Sequence, residues 1–119
     1  MTDTPKRLGA VVVTTIPTSG VNTSGWNLYT VPALTNAIVS TVFACNRNIN
    51  NNTANIRIAH VDSGTINQIA PEDYLYDIYL AAHDTFASTC GISMMPTDSL
   101  VVYSDTVGVN FVAEGMEIT

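Results

Sequence analysis

The chain has 119 residues and a net charge of −6, which corresponds to one acidic domain. Hydrophobic residues make up 46% of it and charged residues 12%, about half the usual ~25% for a soluble domain. Polarity comes instead from 16 Thr, 11 Asn and 8 Ser. The apolar content argues against intrinsic disorder, and a single Lys argues against a coiled coil or long charged helix. Composition therefore predicts a compact, β-rich domain.

The distribution of charge excludes two classes of partner. Lys6 and Arg7 lie near the start, and in residues 8–119 only Arg47 and Arg57 oppose nine acidic residues, which leaves −7. Nucleic acids and anionic membranes both require clustered Lys and Arg, so neither is an expected partner. The polar segment 1–7 does not resemble a signal peptide, and no apolar run approaches the ~20 residues of a membrane span. We expect a cytosol-like compartment for folding.

Short β-prone runs separated by turn residues follow along the chain, a pattern typical of a sandwich or barrel. Residues 1–7 are expected to form a flexible or partner-ordered arm, followed by a single domain over 8–119. Strands are predicted at 8–15, 26–31, 37–46, 55–61 and 74–80. The third is apolar on both faces and is therefore expected to be central. Five Asn within residues 46–53 predict a turn stabilised by local hydrogen bonds.

The later strands are predicted from two aspartates that each precede a β-prone run and from one change in the alternation of apolar residues. Asp84 and Asp98 each precede a β run and are expected to bond nearby main-chain amides. In the last strand, residues 107–118, the apolar positions change parity at Gly115, which predicts a β-bulge there. About eight strands and no helix result. This favours an antiparallel, jelly-roll-like β-sandwich over an immunoglobulin-like sandwich.

No constellation of residues indicates an enzyme, a cofactor or a metal. His60, His83, Cys45 and Cys90 lack metal-ligand spacing, and the two cysteines are expected to be reduced core thiols, with a mutual disulfide as the alternative. Three carboxylates cluster without a recognisable catalytic or calcium pattern, at positions Glu72, Asp73 and Asp77. A calcium site built from Asp62, Asp73 or Asp84 is a weaker alternative.

The aromatic residues and the first two basic residues are the candidates for binding. Trp26 and the strand tyrosines are either core residues or part of a sugar-stacking or protein-binding surface. We take five residues as candidate contacts with an oligomer partner or another surface: Lys6, Arg7, Trp26, Tyr74 and Tyr76.

Three segments of the sequence resemble small virion proteins of tailed bacteriophages. The first runs Tyr29-Thr30-Val31-Pro32-Ala33, then Thr35 to Val39 and Val42 to Asn46. The second covers Pro71 to Leu75, Leu80 to Thr85 and Asp98 to Ser104, and the third Val109 to Ile118. These are strand and turn patterns; the resemblance covers about residues 8–119 and brings no catalytic set with it.

The resemblance implies a structural component of the virion, such as a capsid decoration (cement) protein or a tail- or neck-associated protein. The expected partners are then the major capsid protein or tail proteins, together with further copies of the chain, most simply as a trimer. A module that binds a host surface or carbohydrate is the alternative outside this class. It predicts that Trp26, Tyr74 or Tyr76 is exposed beside polar side chains.

Overall fold

A computed structural model describes residues 3–13, 26–62 and 74–119. The strands in it are β1 (Asp3–Val12), β2 (Trp26–Thr30), β3 (Asn36–Asn46), β4 (Ala54–Val61), β5 (Tyr74–Leu80), β6 (Thr85–Met94), β7 (Ser99–Ser104) and β8 (Val109–Ile118). These ranges contain no helix that could cross a membrane. The predicted all-β class is confirmed.

The strands form two four-stranded antiparallel sheets. Sheet 1 has the order β1-β8-β3-β6, and sheet 2 has the order β2-β7-β4-β5. Strands β1, β2, β3 and β4 pair with β8, β7, β6 and β5, respectively, as one long antiparallel ribbon. Pairing of β3 with β8 and of β4 with β7 then rolls this ribbon into a sandwich. This is the order of a jelly roll. An immunoglobulin sandwich instead places the first two strands side by side.

The core lies between the two sheets and is built from the alternate strand residues that face inward. Its largest fully buried side chains include Phe111, Ile56, Ile58, Met94 and Leu100. β3 was expected to be central, and it lies between β8 and β6. A second, smaller cluster of Ala59, Val61 and Val101 packs with Tyr74 on the outer face of sheet 2.

Bulges do lie beside Gly115, the predicted position, but they are in the strands that pair with β8 and not in β8 itself. β8 pairs without interruption, whereas β1 has the extra residue Leu8 and β3 the extra residue Ser40 opposite Glu114 and Gly115. Therefore β8 keeps its phase: Gly115 and Glu117 continue the inward positions of Phe111 and Ala113. Met116 and Ile118 belong to the other face, and their apolar character misled the sequence analysis.

The predicted boundary between an arm and the domain falls inside a strand. Asp3 to Arg7 form the first half of β1 and pair with Glu114 to Ile118 of β8. The run of residues 3–7 therefore continues the sheet instead of preceding it, because β8 extends far enough to pair with it. The rest of the expected first strand, residues 14–15, lies outside the described residues.

The register of β3 and β6 decides between the two interpretations of the cysteines. Cys45 is opposite Thr85, so Cys90 lies five residues further along β6, roughly 16 Å away at ~3.3 Å per residue. A disulfide needs Cα atoms about 4.4–6.8 Å apart. The mutual disulfide is therefore incompatible with this register, and Cys45 is a half-buried free thiol.

Candidate functional site

Six side chains form a polar depression on the outer face of sheet 2. They occupy two rows: Tyr79 on β5, Asn55 on β4 and Asp105 directly after β7 in one row, and Asp77, Arg57 and Tyr103 on β5, β4 and β7 in the next. Alternation along each strand places both rows on the same face, away from the core residues Ile56 and Ile58. With Ile78, these residues line a cavity of about 310 Å³. We call this the polar depression.

Arg57 occupies the middle of the polar depression and is held by aromatic rings and one carboxylate. Its guanidinium carbon lies 5.6 Å from the ring centre of Tyr74 and 5.4 Å from that of Tyr103. Its Nε lies 3.5 Å from Asp77 Oδ1, which makes an ion pair, but this buried Nε has no hydrogen-bond acceptor among the described residues. Burial is the largest single influence and lowers the pKa of Arg57, but the attraction and hydrogen bonding of Asp77 and Tyr74 together outweigh it, so the pKa is raised.

Asn55 and Asp105 form a fixed polar pair beside Arg57. Asp105 accepts hydrogen bonds from the Asn55 main-chain N–H at 2.8 Å, from Asn55 Nδ2 at 2.7 Å and from Thr106 Oγ1 at 3.0 Å. The Asp105 main-chain N–H in turn donates to the Asn55 carbonyl at 3.2 Å. The pair therefore keeps its geometry without a ligand. Tyr79 completes this row with a side chain that is 80% exposed.

A second feature is an apolar surface at the end of the sandwich where β3–β4 and β7–β8 turn. Val12, Ile49 and Val107 are 44%, 89% and 38% exposed there. With Arg47 and neighbouring main chain they line a depression of about 330 Å³. We call this surface the apolar end. Single exposed aliphatic residues are common on protein surfaces, but Val12, Ile49 and Val107 line one depression, and grouped apolar side chains can mark an interaction surface.

Two buried asparagines hold Ile49 in place. Asn46 Nδ2 donates to the carbonyls of Asn52 and Leu80, at 2.9 and 3.0 Å. Asn48 Oδ1 accepts from the main-chain N–H groups of Asn50 and Asn52, and its Nδ2 donates to the Val107 carbonyl at 3.0 Å. The predicted Asn-rich turn is confirmed, and these bonds fix it to β5 and to the β7–β8 turn. The sequence analysis did not identify Ile49, Val12 or Val107 as surface residues.

Of the five predicted contact residues, Lys6 forms the best-defined network. Its Nζ donates to Glu117 Oε1 at 2.6 Å, and Tyr29 Oη donates to Glu117 Oε2. Hydrogen bonds from Lys6 and Tyr29 lower the pKa of Glu117, whereas burial and this carboxylate raise that of Tyr29. These bonds join β1 and β8 of sheet 1 to β2 of sheet 2, so Lys6 has a structural role in closing the sandwich.

The other four predicted residues are not brought together. Arg7 is exposed and lies opposite Glu114 on β8, while Trp26 is half-buried against the core at the start of β2. Tyr76 points into the sandwich, where its ring contacts Phe86 and its hydroxyl bonds Ser88. Tyr74 lies on the outer face against Arg57, because the extra residue Leu75 shifts the register between them. None of the three predicted aromatic residues is a freely exposed ring.

His60, Asp62 and Asp98 form a group whose potential ligand atoms all lie within 4.8 Å of one another. Buried Asp98 already accepts bonds through Oδ2 from His60 Nε2 and from the Met95 main-chain N–H, both at 3.0 Å. Its predicted role in fixing the turn before β7 is therefore confirmed, and this explains its burial without a metal. Asp84 lies at the opposite end of the sandwich from Asp62, and Asp73 lies outside the described residues.

The fold and its two surface features thus define a small jelly-roll protein with an apolar end and a polar depression. No protein-family model matches the chain, and no curated protein matches it.

Proposed function

We propose that this chain is a structural protein of a tailed-bacteriophage virion. Its most specific form is a capsid decoration protein that binds the outer capsid surface and stabilises the shell by bridging capsomers. The observation that carries the proposal is the apolar end, where Ile49 is 89% exposed on a turn fixed by two buried asparagines. A turn whose main chain is already fixed loses little backbone freedom on binding.

Repetition makes a small apolar contact sufficient for this role. The apolar end exposes only three large aliphatic side chains, Val12, Ile49 and Val107, which is too little for tight binding by one copy. Several linked copies that bind a repeating shell gain affinity from their high effective concentration. The net charge of −7 over residues 8–119 keeps such copies soluble and suits the outside of a DNA-filled shell.

The edges of the sheets supply a surface for oligomerisation. Three of the four edge strands have features that discourage pairing: β1 carries Pro5, Lys6 and Arg7, β2 is five residues long, and β5 carries Asp77. β6 has no proline and no charged residue over Thr85–Met94, and its bulge at Cys90 and Gly91 leaves Thr85 to Thr89 as a regular edge. Part of the proposal is therefore a closed ring, with a trimer as the simplest form, in which β6 contacts a neighbouring copy.

The first test is the number of copies in the particle that carries this protein. Quantification against the major capsid protein should give about one copy, or one trimer, for each local symmetry position of the shell. A ratio of a few copies per hundred capsid subunits would contradict decoration and support the same fold in a tail, neck or fibre. Absence from any particle would overturn the virion assignment.

The second test isolates the apolar end. Ile49→Asp is expected to reduce binding to particles that lack the protein at least tenfold in co-sedimentation, because it places a charge in the contact. Leu34→Asp is the matched control, since Leu34 is 94% exposed in the β2–β3 turn at the opposite end. Equal binding by wild type and Ile49→Asp would show that capsid contact does not use this surface.

A further inference from the structure

The polar depression has the composition of a small-ligand site. Tyr79, which is 80% exposed, lies at one side on β5, and next to it Asn55 and Asp105 are held in fixed orientations by their hydrogen bonds. Its volume of about 310 Å³ is near the lower limit of about 300 Å³ for small-molecule sites. It is therefore large enough for one ring-sized molecule. Strand pairing fixes the spacing of Tyr79 and Asn55, and hydrogen bonds hold Asp105, directly after β7, against Asn55.

The polar groups in the depression retain capacity to bind hydroxyl groups. A carboxylate has about four acceptor positions, and Asp105 uses three with protein donors. Asn55 donates through Nδ2 and receives no hydrogen bond at Oδ1 among the described contacts. The Arg57 side chain is 43% exposed and lines the depression, so its guanidinium supplies donors. The depression therefore offers both hydrogen-bond acceptors and hydrogen-bond donors.

A pyranose sugar matches this arrangement. It has one face of C–H groups, which packs on an aromatic ring, and a perimeter of hydroxyl groups that both donate and accept hydrogen bonds. Two carboxylates, Asp77 and Asp105, and one guanidinium line the depression. The resulting charge of −1 disfavours acidic sugars. The ligand class with the best fit is therefore an uncharged pyranose.

We propose that the polar depression binds the pyranose ring of an uncharged saccharide, with the ring of Tyr79 stacked on the sugar and with Asn55, Asp105 and Arg57 contacting its hydroxyl groups. This activity goes beyond the structural role proposed above and is independent of it, because the polar depression and the apolar end share no residue. Of the strand tyrosines that the sequence offered for sugar stacking, the proposal uses Tyr79 and not the candidate contact residues Tyr74 and Tyr76.

Saturation-transfer-difference NMR on the full chain tests the proposal. The probes are the methyl glycosides of glucose, galactose, mannose and N-acetylglucosamine, with methyl glucuronide as the acidic comparison. At least one uncharged glycoside is expected to receive saturation and to shift the amide signals of Asn55, Tyr79 and Asp105. Absence of transfer to all four uncharged glycosides would overturn the proposal, as would equal or tighter binding of the glucuronide.

Variants at β5 locate the site. Tyr79→Ala should weaken the binding at least tenfold, Tyr79→Phe should retain it because the ring remains, and Leu75→Ala, on the same strand and 43% exposed, should have no effect. Equal binding by wild type and Tyr79→Ala would place the sugar elsewhere and contradict the assignment. Capsid binding by Tyr79→Ala should stay at the wild-type level, so failure here is distinguishable from failure of the proposed function.

Discussion

At the scale of single residues, buried polar side chains determine which apolar groups reach the surface. Asn46 and Asn48 are 0% and 3% exposed, and together they bond main-chain groups of three separate turns or strands. Because these bonds satisfy the main chain of the turn, Ile49 needs no contact with the core. An Asn-rich segment therefore produces an apolar surface.

Replacing Asn48 tests this role. Asn48→Ala removes the acceptor for the Asn50 and Asn52 N–H groups and the donor for the Val107 carbonyl. It should lower the free energy of unfolding by about 1–3 kcal/mol, measured by urea denaturation. The exposed neighbour Asn50→Ala is the control and should change it by about 0.5 kcal/mol or less. Equal effects of the two variants would contradict the role of the Asn48 hydrogen bonds in holding the turn.

The Glu117 network predicts how stability depends on pH. The pKa of Glu117 is lower folded than unfolded, so its stabilisation is present above the ordinary glutamate pKa and is lost as pH falls through the folded value. The pKa of Tyr29 is raised, so its contribution is present below the ordinary tyrosine pKa and is lost as pH rises towards the folded value.

Thermal unfolding from neutral to acidic pH measures the acidic limb. As the pH is lowered, the Tm of wild type should fall more steeply than that of Glu117→Gln, because the variant has no carboxylate at position 117 to protonate. Glu114→Gln, which removes an exposed carboxylate three residues away, should retain the wild-type slope. A wild-type slope in Glu117→Gln would show that the network does not contribute.

At the scale of elements, a line of register shifts crosses sheet 1. Leu8 in β1 and Ser40 in β3 are extra residues opposite β8, and β6 has two residues, Cys90 and Gly91, opposite Ser40. Bulges in neighbouring strands bend and twist a sheet locally. On β8, the inward-facing residue beside these register shifts is Gly115, where a Cβ atom would collide with the Ile38 carbonyl oxygen. The strands thus approach too closely for any side chain.

Two glycines on this line should respond differently to substitution. Gly91 has φ of 60° and open space around it, so Gly91→Ala should cost about 1–2 kcal/mol for its backbone alone. Gly115→Ala meets main chain that cannot move aside, and should cost about 3 kcal/mol or more. Denaturant unfolding measures both.

Substitution by asparagine distinguishes the two causes of destabilisation, which are backbone strain at Gly91 and steric overlap at Gly115. Gly91→Asn should recover part of the loss seen in Gly91→Ala, because Asn tolerates left-handed backbone. Gly115→Asn should be at least as destabilising as Gly115→Ala. The reverse order would mean that the space around Gly115 is larger than the register implies.

At the scale of the whole molecule, the jelly-roll order makes nearly all strand pairing distant in sequence. β1 pairs with β8, β2 with β7 and β3 with β6, and only β4 and β5 are neighbours in both sequence and sheet. Each of these pairings closes a long loop before its contacts form. Folding is therefore limited by the search for partners and not by the formation of local structure.

This topology predicts slow folding for a chain of 119 residues. Refolding followed by Trp26 fluorescence in stopped flow should take about milliseconds to seconds, because the β1–β8 pairing joins the two ends of the chain. Complete refolding in microseconds would contradict a rate set by topology.

The sequence by itself determined the features that depend on neighbouring residues. β-Branched runs and turn residues located the strands, and the Asn run and Asp98 predicted turns that the structure contains, because propensity and local hydrogen bonding act over a few residues. The eight-strand count was enough to favour the jelly roll over the immunoglobulin order, though not to establish it.

Only the tertiary structure decided the features that depend on strand register. The bulge at Leu75 places Tyr74 and Tyr76 on opposite faces, although their spacing predicts one face. The extra residues in β1 and β3 leave β8 in phase, so Glu117 points inward to Tyr29. An extra residue changes the face of all that follow it, and its position is set by a partner strand far away in the sequence. For this reason the exposed ring of Tyr79 and the apolar end around Ile49 became visible only in the folded chain.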